Sequence, residues 1–271
     1  MSIFTLTTDF GTQDGYVGAI KGYLLSQHPQ ATIIDISHDI EPHNIHQGAE
    51  CIARAYHQYP SASIHIVVVD PGVGSTRLAL AVNTGKHWFV SPDNGVLSEI
   101  LKSHPNSQIY ELHSETPWWR KNTSFDGLFL FAPAAAQIAR GQSMDLLGTP
   151  IRDPVIYDTP EIEIDQTTGE LTCQVTSFDR FGNAITNLSL AIYNTCKLEE
   201  TKIYLRSEIL PLRRFYGEQC TSTPFAIFNS DNKLEVSLNQ KSVRRILHLN
   251  LGDSLLLKPI KPLDDAKQIS S

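Results

Sequence analysis

No stretch of this sequence approaches the roughly 18 consecutive apolar residues that a membrane-spanning helix needs, so no span is expected. Basic charge is also scarce: 22 lysines and arginines stand against 29 aspartates and glutamates, a formal net charge of −7. Nucleic-acid binders carry a basic face, so this deficit argues against a phosphate-backbone partner. Cysteine supplies no framework. Cys51, Cys173, Cys196 and Cys220 are scattered, without a CxxC spacing or a histidine pair nearby. Neither zinc nor a disulfide scaffold is indicated, and a reducing compartment is the simplest setting. The opening MSIFTLTTDFG lacks a basic stretch and a long apolar run, and is expected to be a first strand and not a signal peptide. The expected location is cytoplasmic. What remains, 41% hydrophobic and 19% charged over 271 residues, suffices for one large domain or two modest ones with a buried core.

The first half alternates strand and helix signals. IFTLTT (3–8), ATIIDIS (31–37), SIHIVVVD (63–70), LALAVN (78–83) and HWFVSP (87–92) read as strands. The third is nearly continuous in apolar residues, the pattern of a parallel strand buried on both faces. Segments 16–26, 44–59, 94–103 and 128–141 read as helices between them. This predicts an α/β domain over residues 1–155, a mainly parallel sheet layered by helices. Short strands with little helix follow, at 170–178, 202–205, 224–229, 233–238 and 254–257. They predict a smaller all-β, barrel-like domain over 156–271. The proline-bearing segment 148–161 is the expected linker.

Ligands of open α/β sheets bind beyond the carboxyl ends of the strands. Three polar clusters occupy such ends: TTDFGTQDGY with Asp9 and Asp14, VVVDPGVGSTR with Asp70 and Arg77, and SPDNGVL with Asp93 and Asn94. Each has a structural alternative as turn or cap, and for Asp93 and Asn94 that alternative, a helix N-cap, is preferred. The GVG of the second cluster lacks both the GxGxxG pattern and the Lys-Ser/Thr of a P-loop. His38, His43 and His46 near Asp35 and Asp39 fit no standard metal-ligand spacing, and no metal is expected. Trp118-Trp119-Arg120-Lys121 reads as a loop of unreadable function. By position alone, the sequence stops at a small-molecule enzyme with a carboxylate-rich pocket.

Taken together, TTDFGTQDGYVGAIKG, VVVDPGVGSTR, SPDNGVLS, SFDG followed by FAPAAAQIA, DRFGNAITN and FNSDNKLEVSLN resemble, in this order, the SAM hydroxide adenosyltransferase family, which is related to the fluorinases and chlorinases. The resemblance implies hydrolysis of S-adenosyl-L-methionine (SAM) to adenosine and methionine, with SAM as substrate and no separate cofactor. It also implies a homotrimer whose active sites lie at subunit interfaces. Carried over by position, Asp9 takes the ribose hydroxyls, with His43 close by, and Asp14 and Asp179 hold the methionine ammonium. Asn183 reads an adenine edge with Phe181 against the ring. Tyr216, or its neighbour Phe215, stacks on the base, and Ser230 binds the methionine carboxylate. Asp231 stands where the fluorinase has arginine.

In the hydrolytic branch an Asp–Arg–His set holds the attacking water or hydroxide. The resemblance places Asp70 and Arg77 in the first two roles, and Asp126 falls where the family has histidine. Two carboxylates about 4 Å apart repel by roughly 4 kcal/mol at an effective dielectric near 20, before Arg77 offsets them. The pair then binds neutral water with Asp70 or Asp126 as general base, or shares a proton. The same charge disfavours a halide nucleophile. The alternatives are a non-catalytic SAM- or adenosine-binding protein that has lost the histidine, a metal-dependent hydrolase using the acidic and histidine clusters, or, for Asp126 itself, a turn role before Gly127.

Overall fold

The computed structural model describes residues 2–113, 124–219 and 222–260. The chain forms two compact units, Met1–Tyr157 and Asp158–Ser271. The first is built on seven strands: β1 (Ile3–Thr8), β2 (Thr32–Ser37), β3 (Ile64–Val68), β4 (Ala79–Asn83), β5 (Trp88–Pro92), β6 (Gln108–Leu112) and β7 (Gly148–Pro150). Their spatial order is β2-β1-β3-β5-β4-β6-β7. The first four are parallel, while β4, β6 and β7 join antiparallel. The α/β architecture is as expected, and the antiparallel flank is an addition to it. Burial on both faces makes a strand apolar whichever way its neighbour runs, so composition did not distinguish the two flanks.

Alternate residues of β3 enter different cores, as the two-residue period of a strand requires. Ile64, Ile66 and Val68 pack with helices α1 (Tyr16–Gln27) and, further along, Ala132–Ala139, whereas Val67 packs with Ile45–Ala55 and Ser98–Ser103. The last three are α4, α2 and α3 in chain order. Each fully buried leucine or isoleucine of these layers contributes about 1.5–3 kcal/mol by leaving water.

Three expected elements differ in the structure. The helix read at 94–103 begins at Ser98, because Gly95 takes a φ of +93° in the turn before it. The helix read at 44–59 ends at Ala55 and finishes in a 3₁₀ turn, Tyr56–Gln58. The segment 148–161 is no linker in its first part. Gly148–Pro150 pairs with β6, and the backbone N–H groups of Val155 and Tyr157 donate to Asp93 Oδ1 and Ser98 Oγ at 2.8 and 2.9 Å.

The second unit holds β8 (Glu163–Ile164), β9 (Leu171–Phe178), β10 (Ala184–Ser189), β11 (Thr201–Leu205), β12 (Glu208–Leu210), β13 (Leu212–Arg213), β14 (Phe225–Phe228), β15 (Lys233–Ser237) and β16 (Ser254–Pro259). The order β12-β11-β16-β9-β10-β15-β14-β13, with β8 beside β9, makes a barrel-like sheet. Two short helices, α5 (Leu190–Thr195) and α6 (Val243–Ile246), complete it. β9 alternates buried and half-buried residues along its length, so one face lines the core with Leu171, Cys173 and Val175. No helix among the described residues is long and apolar enough to cross a membrane.

One polar feature of the first core makes a pH prediction. His65, fully buried in β3, shares a 2.7 Å hydrogen bond between its Nδ1 and Thr5 Oγ1 and stacks on Phe89, with His87 next to it. Burial, aided by the charge of His87, pushes its pKa down to about 3. A depressed histidine contributes full stability above its unfolded value near 6.5 and loses it as the pH falls, because the unfolded chain takes up a proton that the native state refuses. Urea titrations should therefore record a loss of about 2 kcal/mol between pH 6.5 and 5 from this group. His65→Gln should flatten that slope by one proton, and an unchanged slope would sink the assignment.

Candidate active site

Within the first unit, one strand-end cluster and a distant turn bring together three charged side chains. Asp70 follows β3, and the turn after it is closed by N–H donation from Val73 to the Asp70 carbonyl and from Ser75 to that of Gly72. Gly74 takes a φ of +79° there, open to glycine at no steric cost. The turn returns Arg77 to Asp70. Arg77 Nε donates to both carboxylate oxygens at 3.0 and 2.9 Å, and Nη2 donates to Oδ2. The same Nη2 donates to Asp126 Oδ2 at 2.6 Å.

Asp126 arrives from a distant part of the chain. It precedes a π-helical turn, Gly127–Phe131, that runs into α4, with a proline in the first turn of α4. Such widened turns recur at functional sites. Gly127 makes the approach possible: a Cβ there would lie 3.0 Å from Phe125 and 3.2 Å from Ile20 and Phe10. Phe10, Tyr16 and Phe125 form an edge-on aromatic cluster beside it, and the Arg77 guanidinium lies 5.4 Å from the centre of the Phe131 ring.

The side chains of Asp70, Arg77 and Asp126 are 4, 12 and 11% exposed. Burial alone would make the guanidinium easier to deprotonate. Its hydrogen bonds and attraction to Asp70 and Asp126 outweigh that, and its pKa is raised. The repulsion foreseen between the two carboxylates is thus bridged by one cation, leaving a formal charge of −1 for the set with both ionised. Asp70 has both oxygens engaged by Arg77. Asp126 has only Oδ2 engaged, and its Oδ1 carries no hydrogen bond among the described residues.

Asp9 sits on the loop after β1. Its Oδ2 accepts the backbone N–H of His43 at 2.9 Å, and His43 itself takes a left-handed φ of +68°. The loop is anchored from below by Thr8 Oγ1, 2.7 Å from His38 Nδ1, and by donation from Gly11 N to the His38 carbonyl. His38 Nε2 lies 3.0 Å from Asp35 Oδ1 but off the hydrogen-bonding direction. Asp14 and His43 are exposed. His46 lies against Tyr157 with the ring centres 4.2 Å apart and the planes tilted by 56°, and among the described residues no three His, Cys, Asp or Glu side chains form a group able to hold a metal ion.

Asp93 and Asn94 are not caps of α3. Asn94 Nδ2 donates to the Val69 carbonyl and its Oδ1 accepts from Val96 N. The buried Asp93 accepts from Val155 N, and burial raises its pKa against that bond. Trp118 to Lys121 and Cys220 lie outside the described residues.

The second unit carries a cavity of about 430 Å³, lined by Asp179, Phe181, Asn183, Tyr216, Asn239 and Lys241 among others. The β9–β10 turn presents the first three. Gly182 is required there twice over, by its φ of +80° and because a Cβ would lie 2.0 Å from Ser242 Oγ. Phe181 and Phe215 are 77 and 68% exposed. Ser230 is an exposed residue of the β14–β15 turn and is not among the cavity's lining.

Sequence reasoning missed Glu235. This carboxylate, 2% exposed, accepts from Tyr216 Oη (2.8 Å), Ser237 Oγ (2.6 Å) and Asn229 Nδ2 (3.2 Å). Burial and then the Glu235 bond raise the Tyr216 pKa, which keeps the phenol neutral and fixed. The one available signal was a lone acidic residue between Leu234 and Val236 in a strand.

Models of the SAM hydroxide adenosyltransferase N-terminal and C-terminal domains match residues 4–148 and 173–256. The chain belongs to the SAM hydroxide adenosyltransferase family. Among its relatives, the (R)-S-adenosyl-L-methionine hydrolase of Thermus thermophilus is 31% identical, over 90% of this chain and 95% of that protein. The fluorinase of Actinopolyspora mzabensis is 25% identical, over 69% and 71%. The crystal structure of an uncharacterized conserved protein from Thermotoga maritima superposes with a TM-score of 0.83 at 26% identity, covering 94% of this chain and 99% of that one.

Proposed function

We propose that this protein hydrolyses SAM to adenosine and L-methionine by in-line attack of water at the ribose C5′. The observation that carries the reading is the Asp70–Arg77–Asp126 set, assembled in a chain whose family relatives include named SAM hydrolases. The sulfonium leaves as a neutral thioether, so no acid is needed, and the work falls on holding and deprotonating the nucleophile. Asp126 is the general base, because its Oδ1 accepts no hydrogen bond among the described residues while Arg77 occupies both oxygens of Asp70. A water O–H proton passes to Asp126 as the C5′–O bond forms and the C5′–S bond breaks. The formal negative charge of the set repels halide and suits water.

In the same reading Asp9 binds the ribose hydroxyls beside His43, and Asp14 and Asp179 bind the ammonium. Asn183, Phe181 and Tyr216 take the adenine and Ser230 the carboxylate. Active sites form between protomers of a homotrimer; Phe181, which lines the cavity, and Phe215 next to Tyr216 in sequence are both exposed, which supports a face that a neighbour covers. The carboxylate at Asp126 favours a second reading, SAM binding without turnover.

Incubation of chelator-treated protein with SAM in oxygen-18 water decides between them. Label in the adenosine 5′-hydroxyl is the expected result. Retained SAM with no adenosine would replace hydrolysis by the second reading.

A further inference from the structure

Asp179 and Asn183 are bound to each other more tightly than a shared role in ligand binding requires. Asp179 Oδ1 accepts from the backbone N–H of Asn183 at 2.8 Å, and Oδ2 accepts from its side-chain Nδ2 at 2.8 Å. The Asp179 N–H also donates to the Asn183 carbonyl at 3.2 Å, and that of Gly182 to the Asp179 carbonyl at 3.0 Å. A carboxylate oxygen only accepts, so the Asn183 atom facing it must be the nitrogen. The amide oxygen is thereby turned the other way. Asn183 is 6% exposed and lines the cavity, and its Oδ1 meets no hydrogen-bond donor among the described residues.

We infer that Asp179 is a positioning residue that locks the Asn183 amide with its oxygen toward the cavity and so makes the site selective for a 6-aminopurine over a 6-oxopurine. The inference rests on the reading of this cavity as the base site. An acceptor held in a cavity pairs with a donor. On a nucleoside-linked adenine the exocyclic amine is the only base N–H, whereas hypoxanthine offers a carbonyl oxygen at that position. A fixed acceptor facing that oxygen leaves both groups unpaired, a mismatch that costs about ten- to a hundredfold in affinity. The carboxylate keeps lone pairs for an ammonium, so the two roles of Asp179 are compatible.

Adenosine and inosine separate them, because neither carries the methionine chain. Calorimetry on the full chain should give wild type a tenfold or greater preference for adenosine. Asp179→Ala frees the amide to rotate and should bring the ratio to within about threefold of unity. Asp179→Asn makes a sharper demand. The backbone N–H of Asn183 can only donate, so the oxygen of the new amide must face it. Its NH₂ then faces the Asn183 side chain, which must turn its own oxygen inward and its nitrogen to the cavity. The preference should shift to inosine, an inversion that general loosening does not produce. Retention of the wild-type preference in a folded Asp179→Asn protein overturns the inference alone. If neither variant folds, the wild-type ratio decides, and equal affinity for the two nucleosides overturns it. Wild type that binds SAM but neither nucleoside overturns the reading of the cavity, and the inference with it.

Discussion

Arg77→Leu is expected to lower the unfolding free energy by about 3–5 kcal/mol at neutral pH, the cost of leaving buried carboxylates without their cation. The geometry sets that scale. The guanidinium is nearly buried and donates to two carboxylates that come from segments 56 residues apart (70 and 126), so its removal leaves two like charges facing each other. Urea denaturation of both proteins at pH 7 reads the effect. Arg77→Lys should fall between them, because one ammonium does not reproduce a planar fork that reaches two acceptors. A difference below about 1 kcal/mol would show that the guanidinium does not hold this site together.

Asp126→His is expected to raise the rate of SAM hydrolysis by about ten- to a hundredfold at pH 7.5, a barrier change of about 1.4–2.7 kcal/mol. The substitution takes one formal negative charge from the set, and puts a base of suitable pKa where the Asp126 carboxylate now lies. The loss of the Asp126–Arg77 ion pair leaves Asp70 to keep the guanidinium. Chromatography of adenosine formed in single-turnover and steady-state assays measures the gain. A folded variant that binds SAM and turns over no faster than wild type would place the limiting step away from the nucleophile.

Family membership and the strand-end location of the carboxylates were legible in one dimension. Both depend on local pattern: apolar runs of strand length, turn residues after them, and motifs that keep their order. Asp70 and Arg77 stood in one strand-end cluster, and their joint role was expected through resemblance. The partnership of Arg77 with Asp126 was expected only through resemblance, because nothing local relates positions 49 residues apart. Glu235 stood out only as a lone acid between Leu234 and Val236, because a strand pattern does not reveal which inward face is polar. Asn94 was misread as a cap because the bond it makes, to the Val69 carbonyl, crosses to another strand end.

The sequence by itself therefore determined the α/β and β architecture, the family and the residue types available for chemistry, because burial and turn propensities act over a few neighbours. The tertiary structure alone decided how those residues are engaged. It set the antiparallel flank of the first sheet, the single cation between two carboxylates, the hold of Glu235 on Tyr216 and the direction of the Asn183 amide. Each of these turns on hydrogen bonds whose angles and partners exist only once distant segments, or the two ends of a tight turn, are fixed in space.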